Sequence, residues 1–166
     1  KVAYYCNIRQ EDVISNPDMK SIYQIPLVFH DQDFDQEVLE KLNLPHKKTE
    51  LKDWKNMVEN IFSEKKQKIN IAIIAKYIAT GDYELKDSYT SLIESLEHAG
   101  WYNKVKLNLE FINAEELEKN NKAALNRLYH AQGIIVPIGW GSRGVEGKIK
   151  AIKYARENKV PYLGLC

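Results

Sequence analysis

Cysteine is nearly absent from this sequence: Cys6 and Cys166 are the only two in 166 residues. That excludes a disulfide framework and fits a reducing compartment, read here as cytoplasmic. Long hydrophobic runs are also missing. None approaches the ~20 residues that a bilayer span needs, so no membrane role is expected. Neither sign of charge is in excess, with Lys+Arg 24 against Asp+Glu 23 and a net charge of +1. This argues against a general electrostatic partner such as nucleic acid and leaves room for a local anion site. The opening KVAYYCNIRQ has no initiator Met and no secretory pattern. Internal repeats and low-complexity stretches are absent. What is present is ordinary for a globular protein: 44% hydrophobic and 28% charged residues.

Two unlike regions follow one another. In the first, VAYYCNI (2–8) is almost continuously apolar and reads as a strand buried on both faces. SIYQIPLVF is apolar but interrupted by Pro26, which predicts an extended or irregular segment. DFDQEVLEKLNLP reads as a short helix with Asp33 or Asp35 near its start and Pro45 beyond its end. One strand and one helix cannot bury a core, so residues 1–45 read as the tail of a domain whose body lies upstream. A helix follows with Thr49 as its expected N-cap and an apolar stripe of Leu51, Trp54, Met57, Val58, Ile61 and Phe62. The charged SEKKQK closes a linker assigned to 46–68.

From residue 69 the pattern becomes regular. INIAIIAK reads as a buried strand, and a polar loop leads to a helix carrying Tyr89, Leu92, Ile93 and Leu96 and ending at Gly100. VKLNLEFI alternates strictly, as a half-exposed strand near a sheet edge does. Helical pieces around AEELEK and KAALNRLYH precede GIIVP, a third strand. A glycine-rich loop, the helix EGKIKAIKYAREN and the apolar VPYLGLC complete the series. Strands alternating with helices predict an α/β fold, a doubly wound and mainly parallel sheet over 69–166. Ligands in such sheets bind at the carboxyl ends of strands. The ends after GIIVP and at Cys166 therefore carry the interest.

The loop PIGWGSRGVEG holds four glycines, Gly139, Gly141, Gly144 and Gly147. Such a loop ahead of a helix can cradle a phosphate or form one wall of an oxyanion hole. It lacks the Gly-Lys-Ser/Thr of a Walker A loop. It fits G-x-G-x-x-G only outside the context a dinucleotide site requires. By itself it is equally a structural turn. Cys6 reads as a small buried hydrophobe. Cys166 differs, because it stands at a strand end where α/β proteins place nucleophiles. A nucleophilic thiol needs a base and an oxyanion hole. None of His30, His46, His98 and His130 is a convincing base. The residues taken alone reach half of an acyl-transfer site.

The stretch IIVPIGWGSRGVEGKIKAIKYARENKVPYLGLC, with R-G-x-E-G-K-I and A-R-E-N-K-x-P-Y-L-G, resembles the class I glutamine amidotransferase domain of the CTP synthase family. KVAYYCNI…VIS…DMKSIYQIPLVF, with S-I-Y-x-I-P, resembles the end of that family's synthetase domain. The resemblance implies a flavodoxin-like amidotransferase fold preceded by the tail of a P-loop-type α/β domain. It further implies ATP-dependent amination of UTP to CTP with ammonia released from glutamine, in a cytoplasmic enzyme that is a homotetramer when complete. Cys166 matches the nucleophile, Gly139 the oxyanion and glutamine-binding glycine, and Trp140 an aromatic beside glutamine. Lys1 and Tyr5 match UTP- and CTP-binding positions, and Pro17, Asp18 and Met19 the loop that receives the ATP adenine. Arg143 and Glu146 lie in a loop associated with activation by GTP. ATP and Mg2+ are the implied cofactors, with no metal ligand expected in this chain.

The sequence departs from the family at Ile138, where Gly is usual. A β-branched residue would be strained there if positive φ were needed. The loop TGDYELKDSY is also longer than expected. The residue after the nucleophile, the triad His and Glu, the P-loop and the Mg2+-binding acids have no counterpart, so these 166 residues alone are expected to be inactive and to need the missing parts of the same polypeptide. Two alternatives remain: a truncated non-catalytic structural module, and half of another class I amidotransferase.

Overall fold

The computed structural model describes residues 1–63, 67–77, 79–80, 83–84 and 86–166. They fall into two units, Lys1–Ser63 and Glu64–Cys166. The expected charged connection SEKKQK lies outside the described residues at 64–66, as does the TGDYELKDSY loop at 81, 82 and 85.

The longer regular elements among the described residues of the first unit are helices: α1 (Val2–Cys6), α2 (Ile25–His30), α3 (Phe34–Lys41) and α4 (Lys52–Phe62). The strand expected at VAYYCNI is instead α1, with Tyr4 and Tyr5 exposed at 84% and 82%. A strand needs a neighbour to receive its backbone hydrogen bonds, and among the described residues of this unit there is no strand. A helix closes them locally: the Tyr5 N–H donates to the Lys1 carbonyl at 3.0 Å. Cys6, expected to be buried, is consequently exposed. The Pro26 segment is helical rather than extended, because the proline stands in the first turn of α2, where its missing N–H is not required. α3 starts after Asp33, as expected. Thr49 does not cap α4, whose N-cap is Leu51. Its hydroxyl donates to Asp35 Oδ2 at 2.6 Å instead, a charge-assisted bond stronger than a cap. That bond, with His30 acting in the same direction against burial, holds the Asp35 carboxyl below the usual range.

The second unit holds the core. β1 (Gln67–Ala75) is followed by a two-strand antiparallel ribbon, β2 (Ala79–Thr80) and β3 (Tyr83–Glu84), and by α5 (Thr90–Tyr102). Then come β4 (Val105–Asn113), α6 (Ala114–Glu118), α7 (Lys122–Tyr129), β5 (Gly133–Val136), α8 (Val145–Asn158) and β6 (Tyr162–Gly164). The main sheet has the order β4-β1-β5-β6, and every pairing is parallel. Successive residues of β1 serve opposite faces. Ala72 and Ile74 join Ile112, Leu117, Leu128 and Ala151 of one cluster, and Ile73 and Ala75 join Tyr89 and Leu92 of the other. Helices on both faces make the sheet doubly wound, as the alternating pattern predicts.

Ile73, Ile74, Ile112, Leu117, Leu128 and Ile134 are fully buried, each contributing about 1.5–3 kcal/mol. In the first unit the only buried hydrophobic side chain among the described residues is Val58. VKLNLEFI is the edge strand its alternation predicts. VPYLGLC is not the buried strand expected. β6 has only β5 beside it among the described residues, and Tyr162, Leu163 and Leu165 are exposed.

Candidate active site

β5 is buried at all four of its residues, and it delivers the chain to Pro137 at the carboxyl end of the sheet. From there Ile138, Gly139, Trp140 and Gly141 lead to α8, which starts after Gly144 in the left-handed conformation at φ 69°. Ile138 is not among the residues with positive φ. In this loop only Gly141 (φ 76°) and Gly144 take that conformation, so the strain considered for Ile138 does not arise.

Four side chains hold the loop's peptide groups. Lys148 Nζ donates to the Pro137 carbonyl at 2.7 Å. The Tyr89 hydroxyl accepts from the N–H groups of Lys76 and Tyr77 and donates to the Ile138 carbonyl at 3.5 Å. The Trp140 N–H donates to the Tyr77 hydroxyl at 2.9 Å. Lys76 Nζ donates to the carbonyls of Trp140 and Gly141 at 3.1 and 2.5 Å. Lys76 follows the last residue of β1 and is 3% exposed. Burial on this scale is rare for a lysine unless its donors are satisfied.

The N–H groups of Ile138, Gly139 and Gly141 have no partner among the described residues. Of these, the Gly139 N–H belongs to the peptide whose carbonyl Tyr89 holds. The Ile138–Gly139 peptide is trans, so its N–H points away from the side on which Tyr89 takes the Ile138 carbonyl. Gly139 is also where a side chain does not fit: an added Cβ would stand 2.8 Å from Lys76 Cδ and 2.9 Å from Lys148 Nζ.

β6 brings the second component. Its pairing places Gly164 opposite Val136, and the Leu165 N–H donates to the Val136 carbonyl at 3.0 Å. Cys166 therefore emerges at the same end of the sheet as the glycine loop, on the neighbouring strand. Its thiol is free and exposed. Its φ is 78°. Lys148 feels the cysteine: burial and the charge of Lys76 push its amine pKa down, and Cys166 acts in the opposite sense. Two cationic side chains, a free amide and a thiol thus share one strand-end corner. That set can attack a carbonyl carbon and receive the oxyanion that forms.

The other sequence candidates divide between the loop and α8 of this unit and the first unit. Trp140 belongs to the loop, 78% exposed. Arg143 forms an ion pair with Glu115 at 3.0 Å and reaches the Lys76 carbonyl at 3.5 Å, while Glu146 lies in the exposed first turn of α8. Lys1 lines an open concavity of about 530 Å3 with Tyr4 and Gln10, and Tyr5 is not part of its wall. Pro17 and Asp18 are exposed and Met19 half-buried in irregular chain. Among the described residues, no group of three or more His, Cys, Asp or Glu is arranged to hold a metal ion. Sequence reading missed Lys76, Tyr77, Tyr89 and Lys148. The signal for Lys76 was a single lysine closing the apolar run INIAIIAK.

Residues 84–166 match the profile "Glutamine amidotransferase class-I". The chain belongs to the class I glutamine amidotransferase family. Residues 1–44 match "CTP synthase N-terminus", so this amidotransferase chain carries a second family's segment ahead of its own. Over all 166 residues it is 46% identical to the CTP synthase of Caldanaerobacter subterraneus and 43% identical to that of Clostridium acetobutylicum. It spans 29% and 30% of those relatives, respectively. Among solved structures it is similar to the Trypanosoma brucei CTP synthase glutaminase domain with bound acivicin. That match has a TM-score of 0.50 and 37% identity, covering 58% of this chain and 35% of the other. No helix among the described residues is long and apolar enough to cross a membrane.

Proposed function

We propose that this amidotransferase chain is part of a glutamine-dependent CTP synthase and that Cys166 is its glutaminase nucleophile. The observation that carries the reading is the strand-end corner, where an exposed thiol and a loop with unengaged amides, that of Gly139 among them, emerge from adjacent parallel strands. The similarity to CTP synthases along the whole chain supports it.

In this reading the Cys166 sulfur attacks the side-chain amide carbon of glutamine. The carbonyl oxygen becomes an oxyanion that accepts from the Gly139 N–H. The C–N bond breaks, the nitrogen leaves as ammonia after taking up a proton, and water hydrolyses the glutamyl thioester to glutamate. The resemblance assigns the base to a His–Glu pair that has no counterpart in these residues. Trp140 is proposed to lie beside bound glutamine, as the resemblance implies. Lys1 and Tyr5 are proposed for UTP and CTP, and Pro17, Asp18 and Met19 for the ATP adenine. Arg143 and Glu146 are proposed to respond to GTP. ATP and Mg2+ would act in the complete cytoplasmic enzyme, where ATP activates the uracil 4-oxygen for displacement by ammonia.

The test is Cys166→Ala in the complete protein. Glutamine-dependent CTP formation falls to background, while synthesis from added ammonium continues at close to the wild-type rate. Retention of glutamine-dependent synthesis, or loss of both in a folded variant, contradicts the assignment.

A further inference from the structure

We infer that Lys76 is a positioning residue for the glutaminase loop: its buried amine, through the carbonyls of Trp140 and Gly141, fixes the peptide groups around Gly139 before glutamine arrives. The inference rests on the proposed role of Cys166 and Gly139 and adds a component that the resemblance did not assign.

The argument is geometric. A peptide group is planar, so fixing its carbonyl fixes its N–H as well. In this loop the Pro137 carbonyl is held by Lys148, the Ile138 carbonyl by Tyr89, the Trp140 N–H by Tyr77, and the carbonyls of Trp140 and Gly141 by Lys76. These contacts therefore lie on both sides of the unengaged Gly139 amide. Lys76 alone holds two carbonyls, and its own N–H and carbonyl are tied to Tyr89 and Arg143. Its aliphatic stem fills the space that a side chain at Gly139 would need, since an added Cβ would stand 2.8 Å from Lys76 Cδ.

A glycine loop left to itself samples many conformations. Holding it ahead of reaction removes a reorganisation step from the chemistry, which is how oxyanion donors act most strongly. A buried lysine is a poor choice for stability alone, since an apolar side chain of the same length fills the space without desolvating an amine. Its placement makes sense if the loop's geometry is what it serves. Tyr89 acts in the same way from the other side, through a longer bond.

The experiment uses the complete protein, with Lys76→Met and Tyr89→Phe measured beside wild type. Lys76→Met keeps the stem and removes the donors. Its kcat for glutamine hydrolysis falls on the order of 100-fold, the scale of a misplaced reacting group, with a much smaller change in KM. Synthesis from ammonium is unchanged. Inactivation by a glutamine-like chloroketone, which must settle in the loop, slows in proportion to kcat. Alkylation of Cys166 by iodoacetamide, which needs only an accessible thiol, keeps its wild-type rate. Tyr89→Phe shows the same selective loss at smaller size. An unchanged kcat in Lys76→Met overturns the inference, and so does an equal slowing of both alkylations. If Lys76→Met loses ammonium-dependent synthesis too, Tyr89→Phe decides: a loss confined to glutamine sustains the inference, and wild-type turnover overturns it. Failure of the underlying reading looks different, because glutamine turnover would then survive Cys166→Ser.

Discussion

Gly139 and Gly141 are two residues apart in one loop, and their substitutions act through different physics. Gly141 has φ 76° and open space around it, so an alanine there meets only the backbone penalty, about 1 kcal/mol. Gly139 has no positive φ, and an alanine there meets the stems of Lys76 and Lys148 instead. Gly139→Ala is expected to displace Lys76 from its carbonyls at an overpacking cost of about 1–3 kcal/mol. Glutamine hydrolysis then falls at least tenfold, while ammonium-dependent synthesis remains. Steady-state assays with the two nitrogen sources, together with a thermal melt, check both parts. A Gly139→Ala enzyme with normal glutaminase activity removes the close-packed loop from the account. Ile138 belongs to this scale too. A side chain that read as a source of strain is accommodated because the loop places its positive φ at Gly141 and Gly144, and no sequence pattern announces which residue of a glycine-rich loop takes that conformation.

Among the elements, α6 and α8 are pressed together at Gly147, where a Cβ would lie 1.8 Å from the Ala114 carbonyl oxygen. That oxygen is backbone and has no rotamer to yield. Gly147→Ala is therefore expected to force the helices apart and to destabilise the protein by more than the ~1–3 kcal/mol of ordinary overpacking. The melting temperature drops by several degrees or the protein becomes insoluble. A melt within one degree of wild type would mean that α6 and α8 do not approach as described. Periodicity made these elements legible where the pattern is long and both faces are used. The strands at GIIVP and INIAIIAK and the helix EGKIKAIKYAREN stand where the sequence puts them. It misled at VAYYCNI, where a short apolar run is compatible with either secondary structure and no strand stands beside it among the described residues of that unit. It also misled at Thr49, because a tertiary carboxylate, invisible to local pattern, outcompetes the cap.

For the whole molecule, the fold of the second unit and the strand-end position of Cys166 were legible in the alternation of strands and helices. The side chains that shape the corner were not. Lys76 and Tyr89 reach the loop from segments 49 to 65 residues away in sequence, and only the parallel crossover of β1 beside β5 brings them there. The chemistry proposed for that corner makes one covalent species unavoidable, a glutamyl thioester on Cys166. The most direct test is to mix the complete protein with glutamine, quench in acid at early times, and locate the adduct by peptide mass. The account predicts a glutamyl adduct on the peptide containing Cys166, with the adduct lost and hydrolysis abolished in Cys166→Ser. An adduct on another residue, or undiminished hydrolysis in Cys166→Ser, would contradict it.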